Sequence, residues 1–337
     1  MPPLDELIAS LADGRPVRRA ALAKNADSLS GSPFESLWIG DQPHVIKHLS
    51  AETDWLMRAL DDGVDGRPAY AFRLWRSGVL NRMPDCIDHA IVGMAPDGDG
   101  LSIVMRDITP TLVPSGSEPI PLAQHRRFLD HMARVHAAFW EFEPPEPLLD
   151  DVTRFGALSM RTADRERARA AARGVPIDPV PSLLPSGWAE LRAAAPDIAD
   201  EIVALAQDAT PLARALAETP ATFVHGDWKL GNLGSHPDGR TVLLDWAWTG
   251  RTGPCVDLGW YLAVNCDRLP EPKESAIDAL RGSLERAGVD TGPWWDRQVE
   301  LGLVGGFALL GWSKAGDPDE LGWWLRRIGP TVRELTA

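Results

Sequence analysis

The chain carries only three cysteines, Cys86, Cys255 and Cys266, with no CxxC spacing among them. An odd number so placed excludes a disulfide framework and a cysteine-based zinc site. Long hydrophobic runs are also missing. The longest candidate, residues 301–312, covers twelve positions and is rich in glycine, short of the roughly 18 residues that a membrane-spanning helix needs. Positive charge is scarce: 34 Lys and Arg face 48 Asp and Glu, a formal net charge of −14. Such a surface repels phosphate backbones and anionic lipid, so neither a nucleic-acid nor a membrane partner is expected. Met1-Pro2-Pro3-Leu4-Asp5-Glu6 has no basic and no apolar segment, so the chain does not begin as a secretory signal and reads as cytoplasmic.

What is present is the composition of an ordinary globular protein, 44% hydrophobic and 24% charged, over 337 residues. At about 150 residues per domain this is enough for two domains or two lobes, each with its own core. Apolar residues 4, 7, 8 and 11 have helical spacing. Phe34–Ile39 and 44–49 read as strands around a Gly40-Asp41-Gln42-Pro43 turn, and Ser50 is expected to cap a helix through Trp55, Leu56 and Leu60. Segments 90–94 and 101–105 flank a Gly/Asp turn and predict a hairpin. Prolines and small residues over 109–119 mark a linker. The expected division is therefore an N-terminal lobe over 1–110 and a C-terminal lobe over 111–337. The second lobe reads as mainly helical, with a packing stripe of Phe128, Met132, Val135 and Phe139 flanked by His136. Further helices are expected over 160–173, 199–217, 273–287, 294–312 and 319–328, with an irregular, proline-rich crossing over 174–187.

The chemistry is concentrated in FVHGDWKLGNLGSHPDGRTVLLDW, from Phe223 to Trp246. Pro237-Asp238-Gly239 is a turn signal that predicts a short hairpin, with Asn232 and Asp245 at its open end. An amide oxygen and a carboxylate placed so can share a hard cation such as Mg²⁺. Asp227, on the loop entering the hairpin, can lie near that cation without ligating it. A free carboxylate there suits it to orient an attacking hydroxyl and accept its proton. The spacing His225-x-Asp227-x-Lys229-x-x-Asn232 is that of a kinase catalytic loop, and Asp245 follows thirteen residues after Asn232.

Together with Val256-Asp257-Leu258, these residues resemble the aminoglycoside phosphotransferase and choline kinase-like family of small-molecule kinases. The resemblance implies an α+β, protein-kinase-like bilobal fold: a small N-terminal lobe with an antiparallel sheet plus helix, and a larger, mainly helical C-terminal lobe with a short catalytic β-hairpin. It implies ATP as phosphoryl donor and Mg²⁺ held by Asn232 and Asp245. By the same likeness Asp227 is the catalytic base, His225 braces the loop, Lys229 faces the transferred phosphate and Asp257 anchors the loop's backbone. Lys47 is implied as the lysine reaching the ATP phosphates, with Glu52 as its partner and Asp54 as the competing carboxylate. Gly31 and Ser32, in the Ser30-Gly31-Ser32-Pro33 turn, are the implied phosphate loop, and Met105-Arg106-Asp107-Ile108 the adenine hinge.

The sequence departs from protein kinases in three places: Gly226 replaces the loop arginine, Asp245-Trp246-Ala247 replaces D-F-G, and no A-P-E follows. A peptide substrate is therefore not indicated. The expected partner is a small amine-bearing or sugar-like acceptor drawn to acidic side chains such as Asp197, Asp200, Glu201, Asp267, Glu271, Asp317, Asp319 and Glu320. Trp260, Trp312, Trp323 and Trp324 are candidates to stack on it, although tryptophans are more often core. The alternative reading is a catalytically silent nucleotide-binding pseudokinase, which typically lacks the base or a metal ligand; all three residues are present here.

Overall fold

Strand alternation in Phe34–Ile39 buries Leu37 and Ile39, and the first sheet grows around that strand. The computed structural model describes residues 2–22 and 31–337. Its contacts group the chain into two units, Met1–Ser115 with Gly231–Ala247, and Gly116–Leu230 with Trp248–Ala337. The hairpin segment, expected with the C-terminal lobe, is thus grouped with the N-terminal segment.

The first segment runs α1 (Leu4–Ala12), β1 (Val17–Leu22), β2 (Phe34–Ile39), β3 (Gln42–Leu49), α2 (Trp55–Ala59), α3 (Tyr70–Arg76), β4 (Ile87–Asp88), β5 (Ile91–Asp97) and β6 (Gly100–Arg106). Five of the strands form an antiparallel sheet in the order β1-β2-β3-β6-β5. Leu4, Ile8 and Ala12 of α1 pack with Leu37, Ile39, Ile46, Ala95 and Val104 to make the unit's core. β1 escaped the sequence reading because every one of its residues is exposed, so it shows no apolar alternation. The cap of α2 also differs from expectation. Asp54, not Ser50, accepts the amides of Leu56 and Met57 at 2.9 and 3.2 Å, and a carboxylate serving two first-turn donors sets the helix start. Residues 51–53 are left as a turn, which puts Glu52 outside the helix.

The chain continues through α4 (Leu122–Ala138), α5 (Asp151–Gly156), α6 (Met160–Arg173), α7 (Pro179–Ala194), α8 (Ala199–Gln207), α9 (Thr210–Ala217) and β7 (Thr222–Val224). Most of the crossing expected to be irregular is the start of α7. Pro179 and Pro181 sit in its first turn, where a missing N–H costs nothing, and only Pro185 interrupts the interior. The single helix expected over 199–217 is two, broken at Asp208, whose carboxylate accepts the Thr210 amide.

Next comes the expected hairpin, β8 (Leu233–Ser235) and β9 (Thr241–Leu243), which joins β4 in the order β4-β9-β8. β10 (Gly250–Thr252) pairs with β7, and α10 (Cys255–Val264), α11 (Lys273–Arg286), α12 (Trp295–Leu310) and α13 (Pro318–Thr336) complete the second unit. The glycine-rich apolar run has a structural cause. A Cβ at Gly259 of α10 would clash with the Gly302 carbonyl of α12, and one at Gly306 would clash with the Gly259 carbonyl. The two helices therefore touch backbone to backbone, and this seam fixes α10. Among the described residues no helix is long and apolar enough to cross a membrane.

Candidate active site

The loop following β7 is held from both ends by α10. Asp257, fully buried, accepts the amides of Gly226 on Oδ1 at 2.6 Å and of His225 on Oδ2 at 3.0 Å. His136 of α4 reaches the same Oδ2 with Nε2 at 2.9 Å. Burial pushes the Asp257 carboxyl up, but the hydrogen bond and charge of His136, with the Gly226 amide, outweigh it and hold the group below its ordinary value. At the far end Asn265, just past α10, accepts the Leu230 amide at 2.8 Å and donates to the Trp228 carbonyl at 3.0 Å. Residues 225–229 are thereby fixed without regular secondary structure of their own.

Inside the loop, the Asp227 amide donates to His225 Nδ1 at 3.1 Å, so His225 braces the turn through a ring nitrogen that must carry no proton. Gly226 has φ +79°, in the left-handed region, and a Cβ there would clash with the Arg154 guanidinium and the Trp248 carbonyl. That is the physical reason for glycine where protein kinases carry arginine: Arg154 of α5, itself buried, donates to the Trp248 carbonyl at 2.6 Å and fills the space. The Asp227 carboxylate is nearly buried. Trp260 Nε1 lies 2.9 Å from Oδ1, and Lys229 Nζ lies 3.6 Å from Oδ2.

In the other unit, Lys47 stands on β3 between Phe34 of β2 and Ile103 of β6. Its Nζ donates to Asp245 Oδ2 at 2.9 Å. The expected partner, Glu52, is exposed in the turn ahead of α2, so the carboxylate facing Lys47 belongs to Asp245 instead. Asp245 has φ +64°, a conformation that aspartate tolerates better than most side chains. The hairpin register pairs Leu233 with Leu243, and the Asn232 carbonyl accepts the Leu244 amide at 3.0 Å. Asn232 thus lies opposite Leu244, with Asp245 one residue further along.

Gly31 has φ +103° and packs against the Thr53 carbonyl, while the buried Ser32 gives its hydroxyl to Asp54 at 2.5 Å. The Ser32 side chain therefore ties the turn before β2 to the start of α2. Ser30 lies outside the described residues. Met105 is a β6 residue paired with Val45 and Ile91. The Asp107 amide is spent on the Pro43 carbonyl at 3.1 Å and its carboxylate on Thr109, so its N–H is not available to a base edge.

Sequence reasoning missed His136, Arg154, Trp260 and Asn265 as partners of the loop. His136 reads only as a packing residue of the α4 stripe, and nothing near Asn265 signals its reach back to Leu230. Two of the tryptophans named for stacking are committed elsewhere: Trp324 is fully buried, and Trp260 is stacked on Trp248 and bonded to Asp227.

The fold is that of known small-molecule kinases. A crystal structure of the choline kinase LicA from Streptococcus pneumoniae is similar at a TM-score of 0.52 and 12% identity, covering 98% of this chain and 97% of that one. The LicA complex with AMP gives 0.51 and 12%, over 98% and 96%. An aminoglycoside-3'-phosphotransferase of type VIII gives a TM-score of 0.47 at 17% identity, over 90% and 98%. No curated protein sequence matches. The family model described as the phosphotransferase enzyme family (APH) matches residues 100–290, more than half of the chain. These residues include the anchored loop and Asp257, and the chain belongs to that phosphotransferase family.

Proposed function

We propose that this phosphotransferase moves the γ-phosphate of ATP to a hydroxyl of a small amine-bearing or sugar-like molecule, with Asp227 as the base. The observation that carries the reading is the anchoring of the His225 and Gly226 amides on Asp257, which holds Asp227 on a fixed loop. In-line phosphoryl transfer is mostly positioning and electrostatics, so a rigid loop bearing one carboxylate suits the task. Asp227 orients the acceptor hydroxyl and takes its proton as the oxygen attacks phosphorus. Lys229 offers a positive charge to the transferred group, and Lys47 offers one to the phosphates of the donor. A choline kinase of the same fold crystallises with AMP, which supports a nucleotide donor.

Asn232 and Asp245 supply an amide and a carboxylate oxygen, a donor set that fits magnesium. When bound, magnesium neutralises charge on the donor's phosphates. Among the described residues no group of three or more His, Cys, Asp or Glu competes as a metal site.

The acidic surface favours an acceptor that carries ammonium groups. Asp200, Glu271, Asp317 and Glu320 are committed to Arg192, Arg126, the first turn of α13 and Lys273. Asp197, Glu201, Asp267 and Asp319 are left as candidates to meet a cationic acceptor. The test is ADP release from Mg-ATP across aminoglycosides, amino sugars, amino alcohols and plain sugars, beside Asp227→Ala. Turnover with one class, abolished in Asp227→Ala, is the expected result. ATP binding without turnover on any of them would favour the silent nucleotide-binding reading, and no ATP binding would overturn the proposal.

A further inference from the structure

We infer that Lys314 is a positioning residue for the loop after β7: its ammonium fixes the end of α10 so that Asn265 holds Trp228 and Leu230. The inference deepens the proposed function, since it rests on that loop carrying the base. The loop has two anchors on one helix. Asp257, in the first turn of α10, takes the amides at its start, and Asn265, just past the last turn, takes the backbone groups at its end. The first anchor stands on the part of α10 that meets α12 backbone to backbone. The second stands where the helix has stopped, and a helix end frays unless its last carbonyls find donors.

Lys314 supplies such a donor. Its Nζ donates to the Ala263 carbonyl at 2.7 Å and to Cys266 Sγ at 3.0 Å, and these two residues lie on either side of Asn265. A cation there also meets the negative end of the helix dipole. Lys314 lies just past α12, and its own backbone is held: its amide donates to the Gly311 carbonyl at 3.1 Å and its carbonyl accepts the Asp317 amide at 3.3 Å. Lys314 is only 7% exposed, yet among the described residues no carboxylate forms an ion pair with its ammonium. The thiol is no counter-ion, because burial pushes Cys266 up against the pull of Lys314. A buried charge without a counter-charge costs free energy that an apolar side chain of the same size would not. The ammonium thus serves the position of its partners more than the stability of the fold. Asn265 spends its whole amide there, Oδ1 on the Leu230 amide at 2.8 Å and Nδ2 on the carbonyls of Trp228 at 3.0 Å and Tyr261 at 2.9 Å. A shift in the last turn of α10 therefore reaches the loop directly.

The test compares the full chain with Lys314→Met, which keeps the side chain's size and removes its charge and its donor. Backbone hydrogen exchange reports the anchor without reference to activity. The Leu230 amide should exchange about ten-fold faster in Lys314→Met, as in Asn265→Ala, while the His225 and Gly226 amides keep their protection. The midpoint of urea unfolding should not fall. In ADP release from Mg-ATP across the acceptor panel, turnover should drop about ten-fold with the KM for ATP unchanged. Both substitutions act on one contact, so adding Lys314→Met to Asn265→Ala should lower turnover little further. An unchanged Leu230 exchange rate would overturn the inference, as would full turnover in Lys314→Met or effects that multiply in the double variant. Lost protection throughout α10 with a lower urea midpoint would also overturn it, making Lys314 a structural residue. If no panel compound is turned over, or Asp227→Ala keeps full turnover, the assignment of the base falls instead, and Leu230 exchange still decides whether Lys314 sets the anchor.

Discussion

Asp62, in the first unit, and Asp257, in the second, are both fully buried, and their ionisation moves in opposite directions. Burial pushes the Asp62 carboxyl up to about 7, against the pull of the Tyr70 amide and the Arg73 guanidinium. One of its oxygens accepts from Tyr70 at 2.6 Å, and the other has no hydrogen-bond partner. Asp257 is just as dry, but both of its oxygens are occupied, by two backbone amides and the His136 ring. Removal from water is thus the same penalty in both units, and the count and charge of the donors decide its outcome. The carboxylate that anchors the loop after β7 is the one given enough donors to hold it below its ordinary value.

The largest test of this contrast is Asp257→Asn. It keeps the shape but removes the charge facing His136 and sets an amide N–H against a backbone donor. Breaking such a buried arrangement should cost about 3–5 kcal/mol in urea unfolding. An aspartate held below its ordinary value adds stability that is present above 3.8 and lost as pH falls through the folded-state value. The variant should therefore lose that acid-side dependence. A cost under about 1 kcal/mol would mean that the anchoring is incidental.

Asp62→Asn should act in the opposite sense. A carboxyl held above its ordinary value keeps a proton that the unfolded chain has already released, so stability falls as pH rises from 3.8 to about 7. Near pH 8 the variant should exceed the wild type by about 2–4 kcal/mol, and the advantage should vanish near pH 4. Parallel stability curves over that range would show that Asp62 ionises normally.

The smallest effect on stability is expected at Lys47. Its partner Asp245 retains 27% exposure of its side chain, so water can replace the lost ammonium. Lys47→Met should change stability by less than about 1 kcal/mol while raising the KM for ATP, measured by ADP release. A large loss of stability would make the Lys47–Asp245 pair a structural element like Asp257 rather than a ligand-facing one.

What could be read from the sequence was whatever depends on near neighbours. β2 is where apolar alternation puts it, and α1 and α11 follow their helical spacing closely. The His225–Asn232 loop is recognisable because its residue types stand at fixed short spacings. Glu52 was misplaced because Ser50 was expected to cap α2, whereas Asp54 accepts the first-turn amides and starts the helix after Glu52. β1 was invisible because an exposed edge strand needs no apolar pattern. The partners His136, Trp260 and Asn265 were not legible, because Trp260 and Asn265 meet the loop from 33 and 35 residues away and His136 meets Asp257 from 121 residues away, with no motif of their own.

The sequence by itself determined the family and the composition of the loop, since those follow from local chemistry and spacing. Only the tertiary structure decided which carboxylate meets Lys47, which donors keep Asp257 ionised, what excludes a side chain at Gly226 and which indole bonds Asp227. Those depend on where distant segments are brought within hydrogen-bond reach, and no periodicity along the chain encodes such a distance.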